Sequence, residues 1–281
     1  MPMLGGWATC RAVAVDMSRP EMLRWADDDG PLTISFVGDV SSGHYRLRLG
    51  RDLAVDVLPD QLATWQRSAT DDCSLDHFLS DQVIPRVLAH RGDHVVHAGA
   101  VRSGDSAILM IGPSGRGKST LAASFDQAGE PLLGDDAMVI GWQADRPFAT
   151  PVYPSLRLLP DSIAAILPPS AATDMVAHYT SKRRVRLPID DSGPAVAVTA
   201  IMVIGEPAEA IETRRLSAAD ACIALVTNSF ALDPSDVAQA QRRLEASCRL
   251  AASVPTFEIR YPRDYAQLPM VRAAILDLVA G

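Results

Sequence analysis

The chain has 281 residues and a net charge of -8, with 48% hydrophobic and 21% charged residues. This composition suits a folded globular chain of one large or two modest domains and excludes a disordered one. The acidic balance argues against a nucleic-acid partner, which needs a basic surface to offset phosphate charge, and no apolar run reaches the ~20 residues of a membrane span.

The first residues, MPMLGGWATCRAVAVD, have no basic start followed by an unbroken apolar core. A secretory signal is not expected, and the sequence places the protein in the cytoplasm. Cys10, Cys73, Cys222 and Cys248 are scattered with no C-x-x-C pair, so four reduced, mostly buried thiols are expected. Three short β-like runs follow, over residues 33–37, 44–49 and 53–58, separated by turn residues, and predict a small antiparallel sheet. Between residues 74 and 89, Leu75, Phe78, Leu79, Val83, Val87 and Leu88 recur at helical spacing, with Pro85 expected to kink the helix and Arg91-Gly92 to stop it.

Beyond Gly92 the pattern becomes strand (94–101), turn, strand (106–111), loop, helix (118–127) and strand again. Proline-rich loops, a basic segment at Lys182-Arg183-Arg184, an apolar strand over 196–204 and a tail of helices with a strand at 256–261 complete the chain. We divide it near residue 91. Residues 1–91 form a small N-terminal α+β accessory or substrate-docking domain and residues 92–281 an α/β P-loop catalytic domain, a single fused core being the alternative.

Gly112-Pro113-Ser114-Gly115-Arg116-Gly117-Lys118-Ser119 matches G-x-x-x-x-G-K-S/T between a predicted strand and a predicted helix. In such a loop the glycines let backbone N–H groups curve around phosphates, and the helix N-terminus adds positive partial charge. Lys118 then contacts the β- and γ-phosphates of ATP, Ser119 offers a hydroxyl to Mg²⁺, and Thr120 follows in the first helical turn beside the cradle.

Acids come early, Asp135 and Asp136 lying 17 and 18 residues beyond Lys118. Adjacent strand residues point to opposite faces, so the two acids are expected to divide their work, one serving Mg²⁺ and one the substrate as a base with a raised pKa. A solvated Asp-Asp turn is the plainer alternative. His94 and His97 are three apart and so do not form a chelating pair on a strand. His97, a polar side chain in an apolar strand, needs a hydrogen-bond partner, and by itself reads better as a satisfied core histidine than as a site residue.

Together these spacings resemble the catalytic domain of the HPr kinase/phosphorylase family, in which a histidine-led strand, a P-loop and an Asp-Asp pair occur in this order; His97 lies 21 residues before Lys118. The likeness runs from about residue 94 to 157. It implies an HPr-kinase-type α/β P-loop fold, Asp136 as general base, Asp135 as the acid near Mg²⁺ and His97 as a residue that contacts phosphate or acid. Where phosphorylase-competent members carry Glu-x-Arg-Gly, this chain has Ser155-Leu156-Arg157-Leu158, which favours a kinase without the reverse reaction. The proline-bounded segment YPSLRLLPDS looks more like the related enzymes that phosphorylate a serine of lasso-peptide precursors.

A basic segment would complete such a site by neutralising charge on the transferred group, and among Lys182, Arg183, Arg184 and Arg186 we single out Arg183. The expected activity is that of an ATP-dependent serine kinase acting on a precursor peptide or small protein, without nucleic-acid or membrane partners and compatible with a homo-oligomer. The alternatives are an HPr-type kinase, a small-molecule or phosphoenolpyruvate carboxykinase-like P-loop enzyme, and a non-catalytic nucleotide-gated binding protein.

Overall fold

The computed structural model describes residues 15–27, 30–39, 42–59, 61–67, 70–153, 156–186 and 195–280. The fold is mixed α/β, with three sheets among the described residues. The chain divides into two compact units: one holds the residues up to Gly92 together with 177–180 and 231–240, the other holds the rest.

The first unit is built on an antiparallel meander of β1 (Glu21–Ala26), β2 (Leu32–Val37), β3 (Tyr45–Leu49), β4 (Leu53–Val57) and β5 (Leu62–Gln66), each strand paired with the next. The sequence predicts β2 to β4 and misses β1, which is mostly exposed, and β5, whose short LATWQ run is buried at Leu62 and Ala63 and half-buried beyond without clear alternation. Period-2 alternation sends Leu32, Ile34 and Phe36, Tyr45 and Leu47, and Leu53, Val55 and Val57 into one core with Phe78, Val83 and Val87. Those last three come from a helical stretch made of α1 (Asp72–Phe78), a π segment (Leu79–Val83) and α2 (Ile84–His90). Asp71 caps it by accepting from the Ser74 N–H at 2.7 Å. Pro85 falls in the first turn of α2, directly after the π segment, where a missing backbone N–H is tolerated.

In the second unit the elements run β6 (His94–Val96), β7 (Ala98–Ser103), β8 (Ser106–Ile111), α3 (Lys118–Asp126), β9 (Leu132–Gly134), β10 (Met138–Gln143), β11 (Arg146–Pro151), β12 (Leu156–Leu158), α4 (Pro160–Ile166), β13 (Thr173–Met175), β14 (Arg183–Val185), β15 (Val196–Ile204), β16 (Glu212–Arg215), α5 (Ala218–Thr227), α6 (Val237–Ser253), β17 (Thr256–Arg260) and α7 (Leu268–Ala280), with the start of α6 counted in the first unit. The main sheet has the order β6-β10-β11-β15-β8-β7-β9, and β17 pairs with both β15 and β16. β8 and β17 run parallel to β15, the other pairs antiparallel. A parallel strand with helices on both faces must be apolar throughout, and β8 is buried from Ala107 to Ile111. Ile108 and Met110 pack with Leu121 and Phe125 of α3 and Val271 and Ile275 of α7. Leu109 and Ile111 face the other way, onto Leu225 of α5 and Leu250 of α6. At roughly 1.5–3 kcal/mol for each large apolar side chain removed from water, these two layers fix the end of β8, from which the glycine loop springs. A small sheet, β12-β14-β13, stands apart from the main one.

The cysteines correct the sequence expectation. Cys222 of α5 and Cys248 of α6 form a disulfide across 26 residues of sequence, and Cys73 is exposed; Cys10 lies outside the described residues. A search for local C-x-x-C spacing cannot see a pair brought together by two packed helices.

Candidate active site

The loop after β8 takes its shape from backbone demands. At Gly112 φ is +142°, and an added Cβ would sit 2.7 Å from the Ile204 carbonyl oxygen at the end of the neighbouring parallel strand, so only glycine fits. Its N–H donates to Oδ1 of Asn228 at 3.2 Å. Gly117, with φ +90°, starts α3 without a side-chain cap, which leaves the first N–H groups of the helix free of side-chain acceptors and directed at the loop. Lys118 is buried, and its Nζ donates to the carbonyls of Gly112 (2.7 Å) and Pro113 (3.1 Å), folding the side chain across its own loop. Burial pulls its ammonium below the ordinary lysine range, against the opposing pull of Asp135 and Asp136.

Ser114, Gly115, Gly117, Lys118, Ser119 and Thr120 line a cavity of about 90 Å³. His97, Asp136, Arg157 and Lys182 close its other side. Gly112 and Pro113 contribute through the carbonyls that hold Lys118, while Arg116 turns away to pair with Glu206.

The two acids differ as their adjacency requires. Asp136 lines the cavity in a left-handed conformation, φ +68°, which aspartate tolerates better than most residues. Arg157, buried on β12, donates to its Oδ2 from Nε at 2.8 Å and also from Nη2; Nη2 reaches the Tyr153 hydroxyl at 2.6 Å. On the other oxygen, His97 Nε2 lies 3.8 Å from Oδ1. Asp135 is fully buried near Gly99, and neither of its oxygens has a hydrogen-bond partner. Loss of water, then the Asp136 charge beside it, push it up to about 7, although the Ser119 hydroxyl lies near enough to favour the carboxylate. The raised pKa expected for a cavity-facing base thus appears on the buried neighbour. Gly99 makes the room: a Cβ there would meet Asp135 Oδ1 at 3.3 Å.

These oxygens suit a hard cation. A buried carboxylate with no partner, beside a serine hydroxyl at the start of α3, is an oxygen-only donor set that phosphate oxygens and waters could complete around Mg²⁺. Among the described residues there is no cluster of three or more His, Cys, Asp or Glu side chains able to hold a metal ion.

The strand expected over 94–101 breaks at His97. Its N–H donates to the Asn228 carbonyl (2.6 Å) instead of a sheet neighbour, β6 goes on to pair with β10 and β7 with β8 and β9, and the ring stacks on Phe230 with centroids 5.8 Å apart. His94 is a separate, buried side chain beside the Ser247 hydroxyl (3.2 Å), pushed down to about 4 by loss of water. Asn228, at the end of α5, therefore holds both Gly112 and His97, a role with no local sequence signal. Arg183 is the residue that the sequence singles out within the basic segment. It is exposed on β14 and donates to Thr173 Oγ1 (2.8 Å) and carbonyl, while Lys182, just before the strand, faces the cavity. In a run of basic residues direction is set by strand pairing, which composition does not reveal. Ser155, whose identity argued against the reverse reaction, lies outside the described residues.

No protein-family model and no curated protein matches the sequence. Among solved structures the chain is similar to the HPr(Ser) kinase/phosphatase from Coxiella burnetii, at 12% identity and a TM-score of 0.34, over 66% of this chain and 97% of that one. Among the described residues no helix is long and apolar enough to cross a membrane.

Proposed function

We propose that the chain is an ATP-dependent kinase that phosphorylates a serine hydroxyl of a peptide or small protein. One observation supports this above the others: Lys118, Ser119, Asp136, His97 and Lys182 surround a single cavity, with the buried Asp135 close to Lys118 and Ser119. Phosphoryl transfer needs little from a protein beyond positioning and charge neutralisation, and those are the resources this cavity gathers.

Lys118, released from its own loop carbonyls, holds the β- and γ-phosphates, and Lys182 faces the transferred group from the opposite wall. Ser119 and Asp135 would hold Mg²⁺, which neutralises charge on the phosphates. Asp136 is the base because it lines the cavity and Asp135 does not; a base must first reach the proton it takes. Arg157 fixes the Asp136 carboxylate, and His97 stands at its free oxygen. The acceptor we take forward is a lasso-peptide precursor ending in serine, on the resemblance of YPSLRLLPDS to the kinases of those pathways.

Incubation with γ-labelled ATP, Mg²⁺ and a serine-ended precursor peptide is expected to label the peptide, and Asp136→Asn to slow transfer by about 10²–10⁴-fold with ATP affinity retained. Tight ATP binding without any labelled peptide or protein would overturn the kinase assignment. Undiminished partner binding in Asp136→Asn, again without transfer, would point to a nucleotide-gated binding protein.

A further inference from the structure

Beside the cavity at Lys118 lies a larger one of about 310 Å³. Gly115, Gly117, Thr120, Leu159 and Ser162 line both, so the two share a wall. The far side comes from the connection between β17 and α7, with Tyr261, Pro262, Arg263 and Tyr265, and from Asp161 at the start of α4. A space of about 90 Å³ falls well below the roughly 300–1,000 Å³ of small-molecule sites; with its neighbour it enters that range.

We propose that this second cavity takes the nucleoside of the bound nucleotide, the base packing on the Tyr265 ring and a ribose hydroxyl donating to the Asp161 carboxylate. The assignment rests on the nucleotide-binding reading above and adds to it a direction for the nucleotide.

The chemistry of the walls fits a flat, mostly apolar base with a polar sugar. Leu159 and Tyr265 are 44% and 37% exposed, apolar surface that no other part of the described chain covers fully. The Tyr265 hydroxyl donates to Asp161 Oδ2 at 2.9 Å and lies 3.2 Å from Ser162 Oγ, which is 3.1 Å from Thr120 Oγ1. This line of hydroxyls leads from the first turn of α3, where phosphates would sit, to the ring, and holds the ring in place. Arg263 Nη1 donates to the Arg116 carbonyl, tying the outer wall to the glycine loop. His97, Asp136 and Lys182 line the first cavity and not the second. With the nucleoside on the Tyr265 side, the acceptor hydroxyl approaches from the His97 end.

The test compares ATP with inorganic tripolyphosphate, both with Mg²⁺, by calorimetry on the full chain. Wild type is expected to bind ATP more tightly than tripolyphosphate, Tyr265→Ala to weaken ATP about tenfold, within the range of base–aromatic stacking, while leaving tripolyphosphate unchanged, and Tyr265→Phe, which keeps the ring, to lose less ATP affinity than Tyr265→Ala. Equal affinities of wild type for the two ligands, or parallel losses for both in Tyr265→Ala, overturn the nucleoside assignment and leave phosphate binding standing. If neither ligand binds wild type, the nucleotide-binding reading itself falls. Photolabelling of unmutated protein with 8-azido-ATP needs no variant: label is expected within 159–162 or 261–268, and label confined elsewhere overturns the proposal.

Discussion

Asp56 in the first unit and Asp135 in the second are both buried carboxylates, 4% and 0% exposed, and their surroundings are opposite. Asp56 stands directly across from Arg46 on the paired strands β4 and β3. Its two oxygens accept from Arg46 Nε (2.5 Å) and Nη2 (2.8 Å), and the same guanidinium reaches Glu21 and the Asp16 carbonyl. Asp135 has no hydrogen-bond partner for either oxygen and is pushed up to about 7. Removal of a charge from water costs several kcal/mol per ion unless partners replace the lost solvent. In the first unit the chain supplies those partners itself, so the network holds a fold together. At Asp135 it withholds them, which is the pattern expected where a ligand completes the set. Burial of a charge therefore does not by itself mark a site; at Asp135 the mark is burial without partners next to Lys118, Ser119 and Asp136.

The comparison can be broken most directly at Asp56. Asp56→Ala leaves Arg46 buried with half its partners gone and is expected to lower stability by about 3–5 kcal/mol in chemical denaturation, with transfer activity per folded molecule unchanged. A loss below about 1 kcal/mol would show that the network is not closed as described.

Next in size is the charge facing the cavity. Lys182→Ala is expected to cut the transfer rate by about 10²-fold, the scale of one electrostatic group lost from a phosphoryl-transfer site, with stability nearly unchanged. Arg183→Ala, its exposed neighbour, serves as the control and should stay within about twofold, as surface substitutions generally do. Equal effects of the two would remove the distinction between them.

A third experiment sharpens the contrast at Asp135 through pH. Its folded-state pKa of about 7 lies above the ordinary 3.8, so between these values the folded protein holds a proton that the unfolded chain has lost. Raising the pH through this window therefore costs stability; the penalty is absent below the unfolded pKa, grows towards pH 7 and is constant above it. With metal chelated, wild type should lose at least about 1 kcal/mol between pH 5 and 7.5 relative to Asp135→Asn, measured as the difference between their denaturation midpoints. Parallel profiles for the two proteins would show that Asp135 is already ionised in the folded state.

The strand, loop and helix around Lys118 were legible in the sequence because each depends on neighbours in the chain: an apolar run, glycines, then helix formers. The Asp135-Asp136 pair and His97 could be singled out by spacing, but their environments could not. Which acid is fully enclosed and which lines the cavity depends on Gly99 and the α3 packing, and the break at His97 depends on Asn228, 131 residues later in the chain. β1 and β5 escaped for a related reason: as the two edge strands of their sheet they gain their structure from pairing and carry little period-2 signal.

By itself, then, the sequence determined a mixed α/β chain with a glycine-rich G-x-x-x-x-G-K-S loop and two acids close behind it. Tertiary structure decided that Asp136 and not Asp135 lines the cavity, that Lys182 and not Arg183 faces it, that Cys222 meets Cys248, and that the β17–α7 connection walls a second cavity beside the loop. Glycine conformations and helix starts are short-range matters set within a few residues, whereas burial, side-chain direction across paired strands and contact between distant helices arise only when the chain closes on itself.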